Sequence, residues 1–283
     1  MTAPDATPAL ETPSGKGAGD ENFPVGSLLI ARALRPHVAA FYAYARAIDD
    51  IADNPGLGSN DKIARLDAFA AALERGSADP ALEKADALHR SLAATGVTAK
   101  HGLDLISAFK QDAVKHSYES WAELLDYCDR SAAPVGRYLL DLHGEGRDLY
   151  PFSDALCNAL QVINHLQDCA KDYAEMKRVY LPQAWLRAEH ANPDHLLRPA
   201  ASAGIRRVLD RALERTETLL REARRLPRQL RSRRLAAESA VIVAIAERLT
   251  ARLRREDPVA GRVELGKLGA AAAAVRGLVS LWT

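Results

Sequence analysis

Four polar residues, Gln161, Asn164, Asp168 and Asp172, interrupt an apolar stretch at intervals of three, four and four. At about 100° per residue they fall within roughly an 80° arc of a helix. The side chains between them are largely Val162, Ile163, Leu166 and Cys169. A polar line on an otherwise apolar helix must meet water, or a polar site that satisfies it. Solvated faces are usually built from Glu, Lys and Arg, so the amides in the first two turns favour a site. A second line repeats the pattern: Tyr42, Arg46, Asp49 and Asp53 share one face, with Asp50 off to the side. Arg46 sits one turn before Asp49, placed to orient that carboxylate or to reach a phosphate with its fork of donors. Either line alone reads about as well as a surface charge ladder; the pair does not. Two such faces turned toward each other would form a cage for hard divalent cations. Mg²⁺ held by a few carboxylates and completed by substrate phosphates is a common arrangement. The pattern therefore suggests an enzyme acting on a diphosphate.

The rest of the chain reads as helix. Ala, Leu, Arg and Glu abound, aromatic residues make up only 6%, and β-branched runs bounded by turn residues are almost absent. The fold class is expected to be all-α. Helices are predicted over 36–53, 61–75, 80–95, 100–115, 121–143, 152–176, 183–187, 201–226, 231–255 and 265–281. The stretch 121–143 carries Pro134-Val135-Gly136, where proline bends the axis and glycine permits a close approach. The sequence Asn54-Pro55-Gly56 is a strong helix stop. Residues 1–20 hold Pro, Gly, Ala and Thr without an apolar core, so they are expected to be disordered and not a secretory signal. No linker divides the remainder, so 21–283 is expected to be one domain.

Other features restrict the function further. A formal net charge of +1 over 283 residues argues against nucleic-acid binding driven by overall charge. Cys128, Cys157 and Cys169 suggest neither a disulfide framework nor a zinc site, which fits a reducing cytosol. They read as small buried hydrophobes. His165 lies off the Asp168 face and reads as a packing or hydrogen-bonding residue. No apolar run reaches the roughly 18 residues needed to span a bilayer. The arginine run from Arg221 to Arg234 reads first as a solvated turn around Pro227, and second as an attraction to anionic lipid headgroups. The segment 263–283 is amphipathic enough to dock on the bundle or to dip into a membrane interface.

The two aspartate lines, followed by Arg178-Val179-Tyr180-Leu181-Pro182, together resemble the squalene and phytoene synthase family. The resemblance is good over 23–186 and rests on helix content alone beyond it. Within the family, Glu21-Asn22-Phe23-Pro24-Val25-Gly26 and Asn164-His165-Leu166-Gln167-Asp168-Cys169 are most similar to the bacterial hydroxysqualene synthases. The resemblance implies a single-domain isoprenoid-synthase helical bundle with a central apolar cavity. It further implies that Asp49, Asp53, Asp168 and Asp172 bind Mg²⁺, with Mn²⁺ as a substitute, and bridge it to the diphosphate. On the same ground Tyr42, Arg46, Gln161, Asn164 and Arg178 would contact substrate, and Tyr127 would act in the active-site cavity. Phe41, Val135, Leu139, Leu140 and Val162 are candidates for an isoprenoid channel, although each reads equally as ordinary core. The implied substrate is presqualene diphosphate and the implied product hydroxysqualene, formed by ionisation, rearrangement and water capture without a nicotinamide. Tyr127 or Asn164 would position the water. The implied setting is cytoplasmic, extending to the inner face of a bacterial membrane. Functional coupling to a presqualene diphosphate synthase and a downstream reductase is implied as well.

Three departures from the common family pattern bear on the reaction. Lys171 precedes Asp172 where many members have an acid, the N-terminal motif reads Asn22-Phe23-Pro24-Val25, and the stretch from Asp172 to Arg178 is one residue longer. They speak against a full condensation of two prenyl diphosphates, which is the alternative within the family. A non-catalytic, membrane-associated assembly factor of the same fold is the alternative outside enzymology. Retention of all four aspartates speaks against it.

Overall fold

The computed structural model describes residues 30–281. The expected tail at 1–20 and the motif at 21–26 lie outside the described residues. Packing divides the chain into two compact helical units, Met1–Val114 and Lys115–Thr283. Among the described residues no strand forms, and only an isolated bridge joins Ser117 and Val179.

In the first unit, α1 (Arg35–Asp53) packs against α2 (Ser59–Arg75), α3 (Glu83–Thr95) and α4 (Lys100–Asp112). Pro36 opens α1, where a missing N–H costs nothing, and Asn54-Pro55 ends it. Gly96 closes α3 in the left-handed conformation, φ 72°. Tyr44, Ile48 and Ile51 of α1 are fully buried with Leu66, Phe69 and Leu73 of α2. Burial of each large apolar side chain contributes about 1.5–3 kcal/mol. Gly102 of α4 lets Tyr44 through, and the Tyr44 hydroxyl donates to the Gly102 carbonyl at 3.3 Å.

The second unit is built on α7 (Tyr150–Gln167). Around it pack α5 (Trp121–Ser131), α6 (Ala133–Leu142), α10 (Ala203–Ala223) and α12 (Arg233–Leu253). The short helices α8 (Cys169–Met176), α9 (Gln183–Ala188) and α11 (Leu226–Gln229) join these, and α13 (Lys267–Val279) lies on α12. Ser120, Ser202 and Ser232 cap α5, α10 and α12 through side-chain oxygens. The buried carboxylate of Glu145 accepts from the Ser232 and Arg231 amides at 2.7 and 3.1 Å and reinforces the start of α12.

Two predicted helices are broken. The stretch expected at 121–143 splits at Ala132, because Pro134 cannot donate into the ladder and serves instead in the first turn of α6. The stretch expected at 152–176 splits at Asp168, whose backbone leaves helical geometry at φ −103°, ψ 8°. The helical ladder nevertheless continues across Asp168, with its amide on the Asn164 carbonyl and its carbonyl accepting from Asp172. The result is a kink rather than a new direction set by a loop. The close approach expected at Gly136 is present, since a Cβ there would collide with Ser153 and Cys157 of α7. Gly136→Val is expected to lower stability by about 1–3 kcal/mol through overpacking, read from the urea midpoint at unchanged m.

Candidate active site

Both polar lines look onto accessible space while much of each helix around them is buried. On α1, Tyr42, Arg46, Asp49 and Asp53 are half-buried, whereas Phe41, Tyr44, Ala47, Ile48 and Asp50 to Ala52 are buried. On α7 and α8, Gln161, Asn164, Asp168 and Asp172 are half-buried, while Val162, Ile163, His165, Leu166, Gln167 and Cys169 are buried. The periodicity that defines each line thus coincides with a strip of the helix that solvent reaches. The first line belongs to the first unit and the second line to the second unit.

On α1, Arg46 grips two carboxylates. Its Nη1 lies 2.9 Å from Asp49 Oδ2 and its Nη2 2.8 Å from Asp50 Oδ1. The Asp50 side chain is only 4% exposed, so this charge depends on the guanidinium. Asp49 keeps 28% of its side chain exposed. Desolvation and the neighbouring charge of Asp53 nevertheless push its carboxyl up to about 7, with Arg46 opposing them and Asp50 and Asp112 adding to the rise. Like-charged carboxylates that resist ionisation together are what a divalent cation relieves. In the metal-free protein the native state holds this proton more tightly than the unfolded chain does. The contribution to stability is therefore present at low pH and is lost as pH rises from about 3.8 through about 7. Thermal melts should show Mg²⁺ stabilising the protein more at pH 8 than at pH 6. Apparent Mg²⁺ affinity should fall roughly tenfold per unit of pH below that value. Calorimetric titration at the two pH values measures it; equal affinities would remove Asp49 as a ligand.

The second line has its own cation. Arg262, from the segment between α12 and α13, places Nε 2.9 Å from Asp168 Oδ1, and its Nη1 also reaches Glu264 at 3.2 Å. The same segment is fastened by Gln167, whose amide donates to the Val263 carbonyl. After α8, Lys177 adopts the left-handed conformation, φ 56°, and turns the chain so that the Arg178 amide reaches back to the Asp172 carbonyl at 3.3 Å. Arg178 is consequently buried, at 7% exposure.

Beside Arg178, His165 stacks on Tyr180 with ring centroids 3.4 Å apart. Tyr127 closes this box at 5.3 Å from Tyr118 and 6.0 Å from Tyr180. Burial, with the Arg178 charge adding, lowers the His165 pKa to about 3, so the imidazole is neutral at ordinary pH. The packing role read from the sequence suits His165. Burial pushes the thiols of Cys157 and Cys169 up to about 12, so neither is a nucleophile at neutral pH. Of the candidate channel residues, Phe41, Leu140 and Val162 are buried, while Val135 is 39% exposed.

Among the described residues, no three carboxylate, imidazole or thiol side chains cluster closely enough to hold a metal by themselves. The donors are instead paired carboxylates on half-open faces. Such a set fits Mg²⁺, which keeps waters and takes phosphate oxygens to complete its shell.

The sequence pattern of squalene/phytoene synthases matches residues 17–268. The chain belongs to the squalene/phytoene synthase family. The match runs well past the portion in which the sequence motifs were legible, and it includes the segment carrying Arg262. Hydroxysqualene synthase of Zymomonas mobilis is 44% identical over 257 residues, covering 90% of this chain and 86% of the relative. Hydroxysqualene synthase of Rhodopseudomonas palustris is 43% identical over 260 residues, covering 92% and 88%. The crystal structure of squalene synthase HpnC from Alicyclobacillus acidocaldarius superposes with a TM-score of 0.73 at 36% identity, covering 82% of this chain and 87% of that one. This member of the family is an isoprenoid synthase with the family's helical fold. Arg262 and Gln167 were not given a role from the sequence, and Asp50 was noted only as lying off to the side of the first line. Asp50 had a signal, its adjacency to Asp49. Arg262 had none, because nothing local ties it to Asp168.

Proposed function

We propose that the enzyme converts presqualene diphosphate to hydroxysqualene. The observation that carries this reading is the similarity to hydroxysqualene synthases at 43–44% identity over about nine-tenths of the chain. Asp49 and Asp53 on α1 would hold Mg²⁺, and so would Asp168 and Asp172 on α7 and α8. When bound, Mg²⁺ neutralises the charge that develops on the leaving group. Arg46 keeps Asp49 aimed, and Arg178 adds positive charge near the second line. Departure of diphosphate leaves a cyclopropylcarbinyl cation, which rearranges and is captured by water; the water's proton passes to solvent or to the released diphosphate. Asn164 is half-exposed on the polar line and suits the role of holding that water better than Tyr127, which is 2% exposed. The exposed Lys171 lowers the negative charge of the second line, in keeping with a site that handles one diphosphate. A presqualene diphosphate-forming synthase would supply the substrate, and a reductase would consume the product.

The test is a product assay with purified protein and Mg²⁺ and no nicotinamide. Presqualene diphosphate is supplied in one reaction and farnesyl diphosphate in another. Hydroxysqualene from the first and no product from the second is the expected result. Presqualene diphosphate formed in the second would make this a condensing enzyme. Inactivity in both, with the protein folded, would point to a non-catalytic relative.

A further inference from the structure

One face of α13 is bare. The helix lies on α12 through Ala273 and Gly277, and a Cβ at Gly277 would run into the backbone of Ala240 and Val241. On the other side, Leu268 is 88% exposed, Val275 62%, Val279 54% and Leu278 39%. Four of the seven large hydrophobic side chains exposed among the described residues thus sit on this single helix. With Ala271 and Ala272, also exposed, they cover an arc of about 120°. Scattered exposed apolar residues need no explanation, but a contiguous stripe marks a contact.

The edges of the stripe identify the contact. Helix α13 contains no acidic residue, and its two cations, Lys267 and Arg276, flank the stripe on opposite sides. The Arg228 guanidinium bonds the Ser280 carbonyl at 3.2 Å, which brings the basic α11 region to the end of α13. Arg228, Arg231, Arg233 and Arg234 in that region are exposed. An apolar stripe bordered by long cationic side chains is the pattern of a helix lying in a lipid interface, with cations at headgroup level and aliphatic groups below them. A second copy of the chain is a poorer occupant. Two-fold pairing of this face would set Lys267 and Arg276 against the same charges, with no acid on the helix to answer them.

We propose that α13 docks this enzyme on an anionic lipid bilayer, with Leu268, Val275 and Val279 entering the acyl boundary and Lys267 and Arg276 meeting phosphate headgroups. The contact does not depend on which isoprenoid diphosphate is the substrate. Flotation of the full-length protein is compared on vesicles of phosphatidylcholine alone and of phosphatidylcholine with phosphatidylglycerol in equal parts. Binding to the anionic vesicles only is expected, weakening as salt is raised. Leu268→Glu and Val275→Glu place a charge at positions already open to water, so folding is retained. Each is expected to weaken vesicle binding by about tenfold or more. Turnover of both variants in detergent should match the parent, which separates failure of this contact from failure of the functional reading. Absence of flotation, or flotation indifferent to both substitutions, would overturn the proposal. So would a dimer in light scattering that Val275→Glu dissociates while vesicles fail to bind.

Discussion

Asp168→Asn is expected to lower kcat for diphosphate release by about a thousandfold, the scale of roughly 4 kcal/mol of lost charge stabilisation. The substitution keeps the side chain's size but removes the charge that a metal ion requires. Asp168 stands at the kink between α7 and α8, so its carboxylate projects from the half-open face while its backbone stays in the helical ladder. Folding should barely change. The ion pair with Arg262 joins a 25% exposed Asp168 to a 42% exposed Arg262, and such pairs contribute at most about 1 kcal/mol. The informative result is therefore a large loss of kcat at saturating Mg²⁺ with a melting temperature close to the parent's. A loss below tenfold would take Asp168 out of the metal site.

Arg46→Met is expected to cost about 3 kcal/mol of stability, the largest structural effect of any single change in the site. The guanidinium holds Asp50 at 2.8 Å, and the Asp50 side chain has almost no water to fall back on. Its removal takes the guanidinium away from a buried carboxylate and releases Asp49 as well. Urea unfolding of Arg46→Met, Asp50→Asn and the double variant measures the coupling. The double variant should recover more than half of the loss, because it removes both charges together. Additive effects in the cycle would show that Arg46 acts on Asp49 and substrate but not through Asp50.

Much of this protein was legible along the chain because helical periodicity is a local property. Intervals of three and four placed Tyr42, Arg46, Asp49 and Asp53 on one line and Gln161, Asn164, Asp168 and Asp172 on another, and those residues are half-exposed in the folded chain. The all-α class followed from strong helix formers and the scarcity of strand signals. Local signals were weaker where proline and backbone geometry compete. The chain breaks at Ala132 and Asp168 where continuous helices were expected, since Pro134 accepts a first-turn position and Asp168 absorbs a kink without losing its hydrogen bonds.

The amino-acid sequence by itself determined the helical class, the two aspartate lines and, through their joint motifs, the family. Tertiary structure alone decided which distant charges meet and which near ones are buried. The pairing of Arg262 with Asp168 joins residues far apart along the chain, while the reliance of Asp50 on Arg46 and the rise of the Asp49 pKa come from the burial of residues that are already neighbours on α1. Tertiary structure alone also left the Leu268, Val275 and Val279 face of α13 uncovered. The physical reason is common to these cases. Periodicity states which residues share a face, but the free energy of a charge or an apolar side chain is set by what packing brings to that face or keeps from it.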